Sequence, residues 1–287
     1  MSENVVPFTS PKNRRQASPP RVLAVTSGKG GVGKTHTTLN LACALSKNNH
    51  KVMVMDADLG LGNIDVMLGL SPKMNLSHVI NGEATLNDIV MRGPHQILVV
   101  PASSGLAELT TLSIQAYADV IHSFSDLIWP LDYLLIDTAA GISPMATVYA
   151  KAAHEVIVVI TEDPSSLADA YALIKLIHQD SGIHKFLVVC SMVSDVKAGE
   201  RLFSKLTKVT SQFLNLELTL LASVPFDPRI KKAALNHQLI SDSEEDGPAK
   251  QSFKLMAEKL NNLPKLALPN GGLEFFLERF YSAKGES

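Results

Sequence analysis

The stretch "RVLAVTSGKGGVGKTHTT" (21–38) joins a short apolar run to a glycine-rich turn and then to residues of helical character. No other feature restricts the fold so strongly. The run empties into Gly28, Lys29, Gly30, Gly31, Val32, Gly33, Lys34 and Thr35. That satisfies G-x-x-x-x-G-K-[ST] in the context that gives the pattern meaning, a strand before it and a helix after. The glycines let backbone N–H groups point inward at phosphate oxygens, and the helix adds its positive N-terminal end. Lys34 is expected to reach the β- and γ-phosphates, and the Thr35 hydroxyl to sit on Mg²⁺.

Six further apolar runs share the buried character of the first: 51–56, 96–102, 132–137, 155–161, 185–193 and 218–225. Such near-continuous runs suit strands covered on both faces, as in a parallel sheet. Amphipathic stretches of helix length separate them and supply the crossovers. The expected class is therefore α/β: a doubly wound, mostly parallel sheet with helices on both faces, in one domain. The 287 residues suffice for one such core. Residues 1–20 read as a mobile, mildly basic arm, 21–262 as the nucleotide domain, 263–272 as a Pro/Gly linker and 273–284 as a separate helix. The acidic, turn-rich segment 240–250 contains Pro248, a residue suited to open the next helix.

A magnesium-dependent phosphoryl-transfer site needs carboxylates at neighbouring strand ends. "VMVMDADLG" ends one run on Asp56 and Asp58, two apart and so pointing the same way while the chain stays extended. "YLLIDTAAG" ends another on Asp137, followed by a small flexible turn. Asp137 is expected to act on Mg²⁺ through water with Asp56 nearby, Gly141 to sense the γ-phosphate, and Asp58 to orient the attacking water.

The motif K-G-G-x-G-K-T, with a lysine at its first position, resembles the deviant Walker A loop of MinD/ParA-type ATPases. "DADLGLGNIDVMLGL" (56–70), "IDTAAGIS" (136–143), "DAYALIKLIH" (169–178), "LFSKLTKVTSQFL" (202–214) and "LEFFLERFY" (273–281) are similar to the FlhG/FleN group of that family, MinD-like regulators of polar flagellar number. The resemblance spans 21–281. It implies a slow Mg-ATPase that forms a homodimer when ATP is bound, with Lys29 reaching the partner's ATP while Lys34 serves its own. The implied nucleotide contacts are residues 28–35, His36, Ser191, Pro225 and Asp227. Serine at 191 stands where these ATPases often carry an adenine-reading Asn, which leaves open weaker base selectivity or a shift to backbone contacts near Pro225 and Asp227. The implied partners are a flagellar transcriptional activator of the enhancer-binding type, the GTPase FlhF and flagellar switch-ring proteins. Residues 14–20 read "RRQASPP" and lack the D-Q-A-x-x-L-R segment by which many members stimulate FlhF. The implied location is the cytoplasm, with peripheral attachment to the inner membrane or cell pole. A ParA-like DNA or cargo positioner and a MinD-type division-site regulator are the alternatives.

Charge and cysteine content narrow the field. With 26 Lys and Arg against 28 Asp and Glu, nothing global marks a nucleic-acid binder, and direct DNA binding is not expected. The two cysteines, Cys43 and Cys190, lie among apolar residues outside any switch motif, so a disulfide framework or redox cluster is not expected. No apolar run approaches the roughly 18–20 residues that span a bilayer. Leu273, Phe276, Leu277, Phe280 and Tyr281 instead follow the spacing of one helical face, predicting a short helix that lies in the membrane surface. In a helix expected over 197–214, Lys197, Arg201, Lys205 and Lys208 fall within about 80°. That face reads either as solvated surface or as a docking strip for an acidic partner or DNA.

Overall fold

The computed structural model describes residues 19–58, 62–102, 114–264 and 273–277. Strand β1 (Arg21–Thr26) leads into helix α1 (Lys34–Lys47), and β2 (Val52–Ala57) follows. Three short helices come next: α2 (Ile64–Met67), α3 (Leu76–Ile80) and α4 (Leu86–Ile89). Then come β3 (Met91–Arg92) and β4 (Leu98–Val100). The rest alternates regularly: α5 (Ile114–Ser123), β5 (Tyr133–Thr138), α6 (Pro144–Ala152), β6 (Glu155–Ile160), α7 (Pro164–Ser181), β7 (Lys185–Val193), α8 (Val196–Phe213), β8 (Glu217–Pro225), α9 (Pro228–Leu235) and α10 (Pro248–Asn262).

The eight strands form one sheet in the order β3-β4-β2-β5-β1-β6-β7-β8, parallel except for β3 against β4. All seven apolar runs are strands of this sheet. Strand β3 was not expected: two residues, one of them Arg92, carry no readable periodicity. β1 is central, and its side chains alternate between two cores. Val22 and Ala24 face the side covered by α3 to α8; Leu23 and Val25 face the side covered by α1, α2 and α10. A strand lined by apolar groups on both faces is stable only where both faces are covered, which is why the pattern reads as continuous rather than alternating. Helix α10 opens with Pro248 in its first turn.

At the end of the sheet where β1 begins, a buried ion pair ties three elements together. The Arg21 guanidinium donates from Nε and Nη2 to the two carboxylate oxygens of Glu155 on β6, and from Nη1 to the Leu260 and Leu263 carbonyls at the end of α10. Both side chains are buried, so their attraction must offset a large desolvation penalty, and the bidentate geometry and extra carbonyls make that possible.

The C-terminal segment departs from the sequence expectation. Over 273–277 the chain does not present Leu273, Phe276 and Leu277 as one exposed stripe. Phe276 has φ +59°, which breaks the helical period, and Phe275 and Phe276 are both fully buried. Their rings pack edge-on against Phe124, with centroids 5.0 and 5.9 Å away, and Phe275 also meets Tyr149 at 6.3 Å. Phe275, expected off the stripe, is thus as deep as Phe276. Burying two such rings is worth about 1.5–3 kcal/mol each before ordering costs, enough to favour docking over exposure. Phe280 and Tyr281 lie outside the described residues. No helix among the described residues is long and apolar enough to cross a membrane.

Two stability predictions follow from these contacts. Arg21→Ala leaves Glu155 buried without its partner and should cost about 3–5 kcal/mol in denaturant unfolding, whereas Arg21→Met with Glu155→Leu should recover most of the loss. His154, whose Nδ1 accepts the Val22 N–H at 3.1 Å, is pushed down to about 4 by burial and by Arg21. Below its unfolded value near 6.5 the unfolded state takes up the proton first. Unfolding free energy should therefore fall by about 3 kcal/mol from pH 6.5 to pH 4, a slope that His154→Asn should flatten.

Candidate functional site

The glycine-rich loop lies where β1 ends, at the carboxyl edge of the sheet beside β5 and β6. Its geometry depends on close approach. A Cβ on Gly28 would lie 2.3 Å from the Asp169 carbonyl carbon of α7, so only glycine lets α7 press against the loop. Gly33 has φ +86°, and a Cβ there would meet the Ser191 hydroxyl at 2.9 Å. Val32 is buried and anchors the turn, while nothing lies within 4 Å of a Cβ on Gly30. The loop is packed at both ends and open at its crest.

Asp137 sits under α1 and gathers its first turn. Its Oδ1 accepts from Lys34 Nζ at 2.9 Å and from Thr38 Oγ1 at 3.1 Å, and its Oδ2 accepts from Thr35 Oγ1 at 2.6 Å. The parallel register sets Asp56 of β2 directly beside Asp137 of β5. Asp56 Oδ2 accepts the Asn63 and Ile64 N–H groups at 2.9 and 3.0 Å, holding the start of α2, and Oδ1 accepts the Asp58 N–H at 3.2 Å. Burial, reinforced by the charge of Asp137, pushes the Asp56 carboxyl up to about 7. Two buried carboxylates share one ammonium, so the site is short of positive charge. Thr35, Asp137 and Asp56 form a hard-oxygen donor set that fits Mg²⁺, an ion held by one or two carboxylates together with substrate phosphates. Among the described residues, no group of three His, Cys, Asp or Glu side chains forms a protein-only cage, which suits that division.

The turn after β5 closes over the loop. The Gly141 N–H donates to the Ser27 carbonyl at 2.8 Å, so the proposed γ-phosphate sensor touches the phosphate loop directly. Asp58 lies half-buried at the end of β2. His36, in the first turn of α1, is held below its ordinary pKa by burial, which outweighs the nearby Asp137 charge and keeps it neutral at pH 7.

Lys29 points the other way from Lys34. Its ammonium is half-exposed and donates to Asp163 Oδ2 at 2.6 Å and to Ser165 Oγ at 2.8 Å. Asp163 caps α7, and its hydrogen bonds to Lys29 and Ser165 hold its carboxyl down at about 2. Sequence reading missed Asp163; the readable signal, Asp-Pro-Ser-Ser at a helix start, pointed only to a cap.

The expected base contacts are only partly assembled. Ser191 is buried, its hydroxyl turned toward Gly33, so its side chain lies beneath the loop instead of lining an open slot. The Asp227 carboxylate is taken by Arg229, which donates from its backbone N–H, Nε and Nη2 at 3.0, 2.9 and 2.7 Å. Pro225 ends β8 opposite Val193. The exposed groups at these strand ends are Met192, 39% exposed with φ +53° at a register shift in β7, and Phe226, 66% exposed. A bulge is invisible in a continuous apolar run, which is why Met192 escaped notice.

These features have counterparts in known proteins. The ParA family, described as NUBPL iron-transfer P-loop NTPase, matches residues 19–261. This chain belongs to the ParA family of P-loop NTPases. As a member it is an ATP-hydrolysing enzyme. The antiactivator FleN of Pseudomonas aeruginosa is 44% identical over 261 residues, covering 91% of this chain and 93% of FleN. The flagellum site-determining protein YlxH of Helicobacter pylori is 32% identical over 270 residues, covering 92% and 91%. Among solved structures, the cell division ATPase MinD of Pyrococcus furiosus superposes with a TM-score of 0.70 at 24% identity, covering 86% of this chain and all of that one. The iron-transfer part of the family description finds no counterpart in the cysteines. Cys43 and Cys190 are fully buried on opposite faces of the sheet, with thiols pushed up to about 12, mainly by burial.

Replacing Lys34 with Ala removes the ammonium bonded to Asp137. ATP turnover should fall by about 10²-fold or more while circular dichroism stays native.

Proposed function

We propose that this chain is an ATP-driven dimerisation switch that sets flagellar number and placement. The observation that carries the reading is the opposed placement of two lysines from one loop. Lys34 is buried on Asp137 inside the site, whereas Lys29 sits at the rim, held by Asp163 and Ser165. A half-exposed lysine turned away from the buried Lys34–Asp137 pair supports a role toward a nucleotide bound by a second copy. The charge that develops on a transferring phosphoryl group makes such a contribution valuable.

Each residue then has a task. Phosphate entering the loop competes with Asp137 for the Lys34 ammonium and draws it onto the β- and γ-oxygens. Thr35, Asp137 and Asp56 would hold Mg²⁺, which when bound supplies neutralisation of phosphate charge. Asp58 orients the attacking water, and Gly141, bonded to Ser27, is placed to feel the γ-phosphate. Dimerisation exchanges the Lys29–Asp163 contact for one to the partner's nucleotide, so hydrolysis returns the lysine to Asp163.

The names of the relatives support the output. An antiactivator acts on a transcriptional activator, and a site-determining protein acts on placement. The partners proposed for this chain are accordingly a flagellar activator of the enhancer-binding type, FlhF and switch-ring proteins. Peripheral attachment at the inner membrane or pole would require the docked segment 273–277 to leave its site beside Phe124 and expose Phe275 and Phe276.

The deciding experiment measures mass in solution and turnover together, for wild type, Lys29→Ala, Asp58→Ala and Asp163→Asn in saturating Mg-ATP. Asp58→Ala should be dimeric and hydrolyse poorly, and Lys29→Ala should lose turnover. Asn keeps the α7 cap while releasing Lys29, so Asp163→Asn should dimerise at a protein concentration lower by up to about fivefold. If wild type, Lys29→Ala and Asp58→Ala all remain monomeric, the switch is wrong. Vesicle pelleting of the same samples tests attachment: equal binding with ATP and ADP, and by a chain ending at Asn270, would remove the membrane from the scheme.

A further inference from the structure

At the carboxyl ends of β7 and β8 two large apolar side chains, Met192 and Phe226, stand exposed, and neither belongs to either core. They are neighbours: β7 and β8 pair in parallel there, and the Phe226 N–H donates to the Val193 carbonyl at 2.8 Å. Met192 has φ +53°, a left-handed conformation uncommon for a long side chain. It falls where the register shifts between Ser191 and Val193. An irregularity of this kind bends a strand and re-aims a side chain, and such outliers gather at ligand sites.

The position matters because of where a nucleotide can extend once its phosphates lie on Lys34 and Thr35 at the start of α1. On the β5 side the loop is closed by the Gly141 N–H bonded to the Ser27 carbonyl, and α7 presses on Gly28. On the other side Ser191 backs Gly33 at the end of β7, one residue from Met192. The open course for sugar and base runs past Gly33 and over the ends of β7 and β8, the carboxyl edge where sheets of this class bind ligands. The two polar side chains that flank the apolar pair in sequence are already engaged. Ser191 is buried beneath the loop. Asp227 caps α9 and accepts three N–H groups from Arg229. Arg229 is itself confined: its Nη1 donates to the Asp246 carbonyl at 3.1 Å, and a Cβ on Gly247 would lie 1.7 Å from its Nη2.

We propose that Met192 and Phe226 hold the purine base of the nucleotide by its faces, and that the chain accepts GTP as well as ATP. The inference rests on the nucleotide site proposed above and adds the base to it. Adenine and guanine differ along one edge, where adenine offers an amine and guanine a carbonyl. Telling them apart takes a hydrogen-bonding group aimed at that edge, and Ser191 and Asp227 are both committed elsewhere. The ring faces of the two bases are alike, so stacking on an aromatic ring or contact with a thioether is indifferent to the edge. An apolar site discriminates weakly, whereas one built to bond a particular group rejects its analogue strongly. With either nucleotide the reaction is the same: water adds to the γ-phosphorus, the bond to the β-phosphate oxygen breaks, and the diphosphate and inorganic phosphate leave.

The test titrates the full chain in Mg²⁺ with ADP, GDP and pyrophosphate by calorimetry; diphosphates keep ATP-driven dimerisation out of the reading. ADP and GDP should bind within about fivefold of each other, and ATP and GTP should turn over within the same range. Met192→Gly with Phe226→Ala should weaken ADP and GDP together by about tenfold or more and leave pyrophosphate unchanged. Glycine accepts the positive φ at 192, so the side chain is removed without disturbing the bulge. Phe226→Leu, apolar but without a ring face, should lose more affinity than Phe226→Tyr, and equal losses overturn the proposal. A preference for ADP over GDP above about twentyfold also overturns it, since that requires a group reading the base edge. So does unchanged diphosphate affinity in the double variant, including the case where only ATP-dependent self-association is lost; the pair is then a contact between copies. Pyrophosphate that binds wild type but not Lys34→Ala keeps a failure at the base distinct from a failure of the phosphate site.

Discussion

The structure turns on a shortage of positive charge around one buried carboxylate pair. Asp56 and Asp137 are forced together because β2 and β5 run parallel in register, and both strands end at the same edge of the sheet. Among the described residues Lys34 is the one ammonium bonded to the pair, through Asp137, and burial together with the Asp137 charge raises the Asp56 pKa. Such a pair is costly in an apolar sheet and has value only if something positively charged joins it. Everything around it holds that arrangement in place. Thr35 and Thr38 bind Asp137 from α1, and the N–H groups at the start of α2 bind Asp56. The opposite end of the sheet is closed by the Arg21–Glu155 pair, which is complete in itself. One end of the molecule is electrostatically satisfied and the other is not, and the unsatisfied end is where the chemistry lies.

The sequence carried the layers of the fold and the core of the site because both are local. A continuous apolar run followed by glycines and a lysine is a strand, a turn and a helix within eighteen residues, and the aspartates at strand ends could be read one strand at a time. What escaped it depends on long-range geometry. Strand order, which no local pattern encodes, supplies the register that sets Asp56 beside Asp137, a neighbourhood expected only from what a magnesium site needs. The contact between Lys29 and Asp163 joins residues far apart in the chain, and nothing near either names the other. The burial of Ser191 and the exposure of Met192 follow from one register shift between β7 and β8. A slip of one residue exchanges the faces of a strand, so a correct strand assignment does not say which side chain is exposed at its end.

The C-terminal segment shows the same limit from another direction. Helical spacing is evidence of a stripe only if the backbone stays helical, and a left-handed residue at Phe276 ends that condition. The aromatic content was informative even so. "LEFF" marks residues that need apolar company, and Phe124 and Tyr149 supply it within the same chain. The composition specified burial, while the choice between a bilayer and a groove rested on tertiary contacts.

Three of the loop's contacts come from different strands and helices. Gly28 is pressed by α7, Ser27 is bonded to the turn after β5, and Gly33 is backed by Ser191 at the end of β7. These elements also lead outward: α7 holds Lys29 through its cap, β5 carries Asp137 into the turn of Gly141, and β7 runs into α8. Close packing leaves no slack at these contacts, since a Cβ on Gly28 or Gly33 would already clash. A displacement of the loop by a fraction of an ångström must therefore be passed on or resisted at each of them. Through the same elements the loop is joined to the helix whose cap holds Lys29 and to the strand that leads into α8.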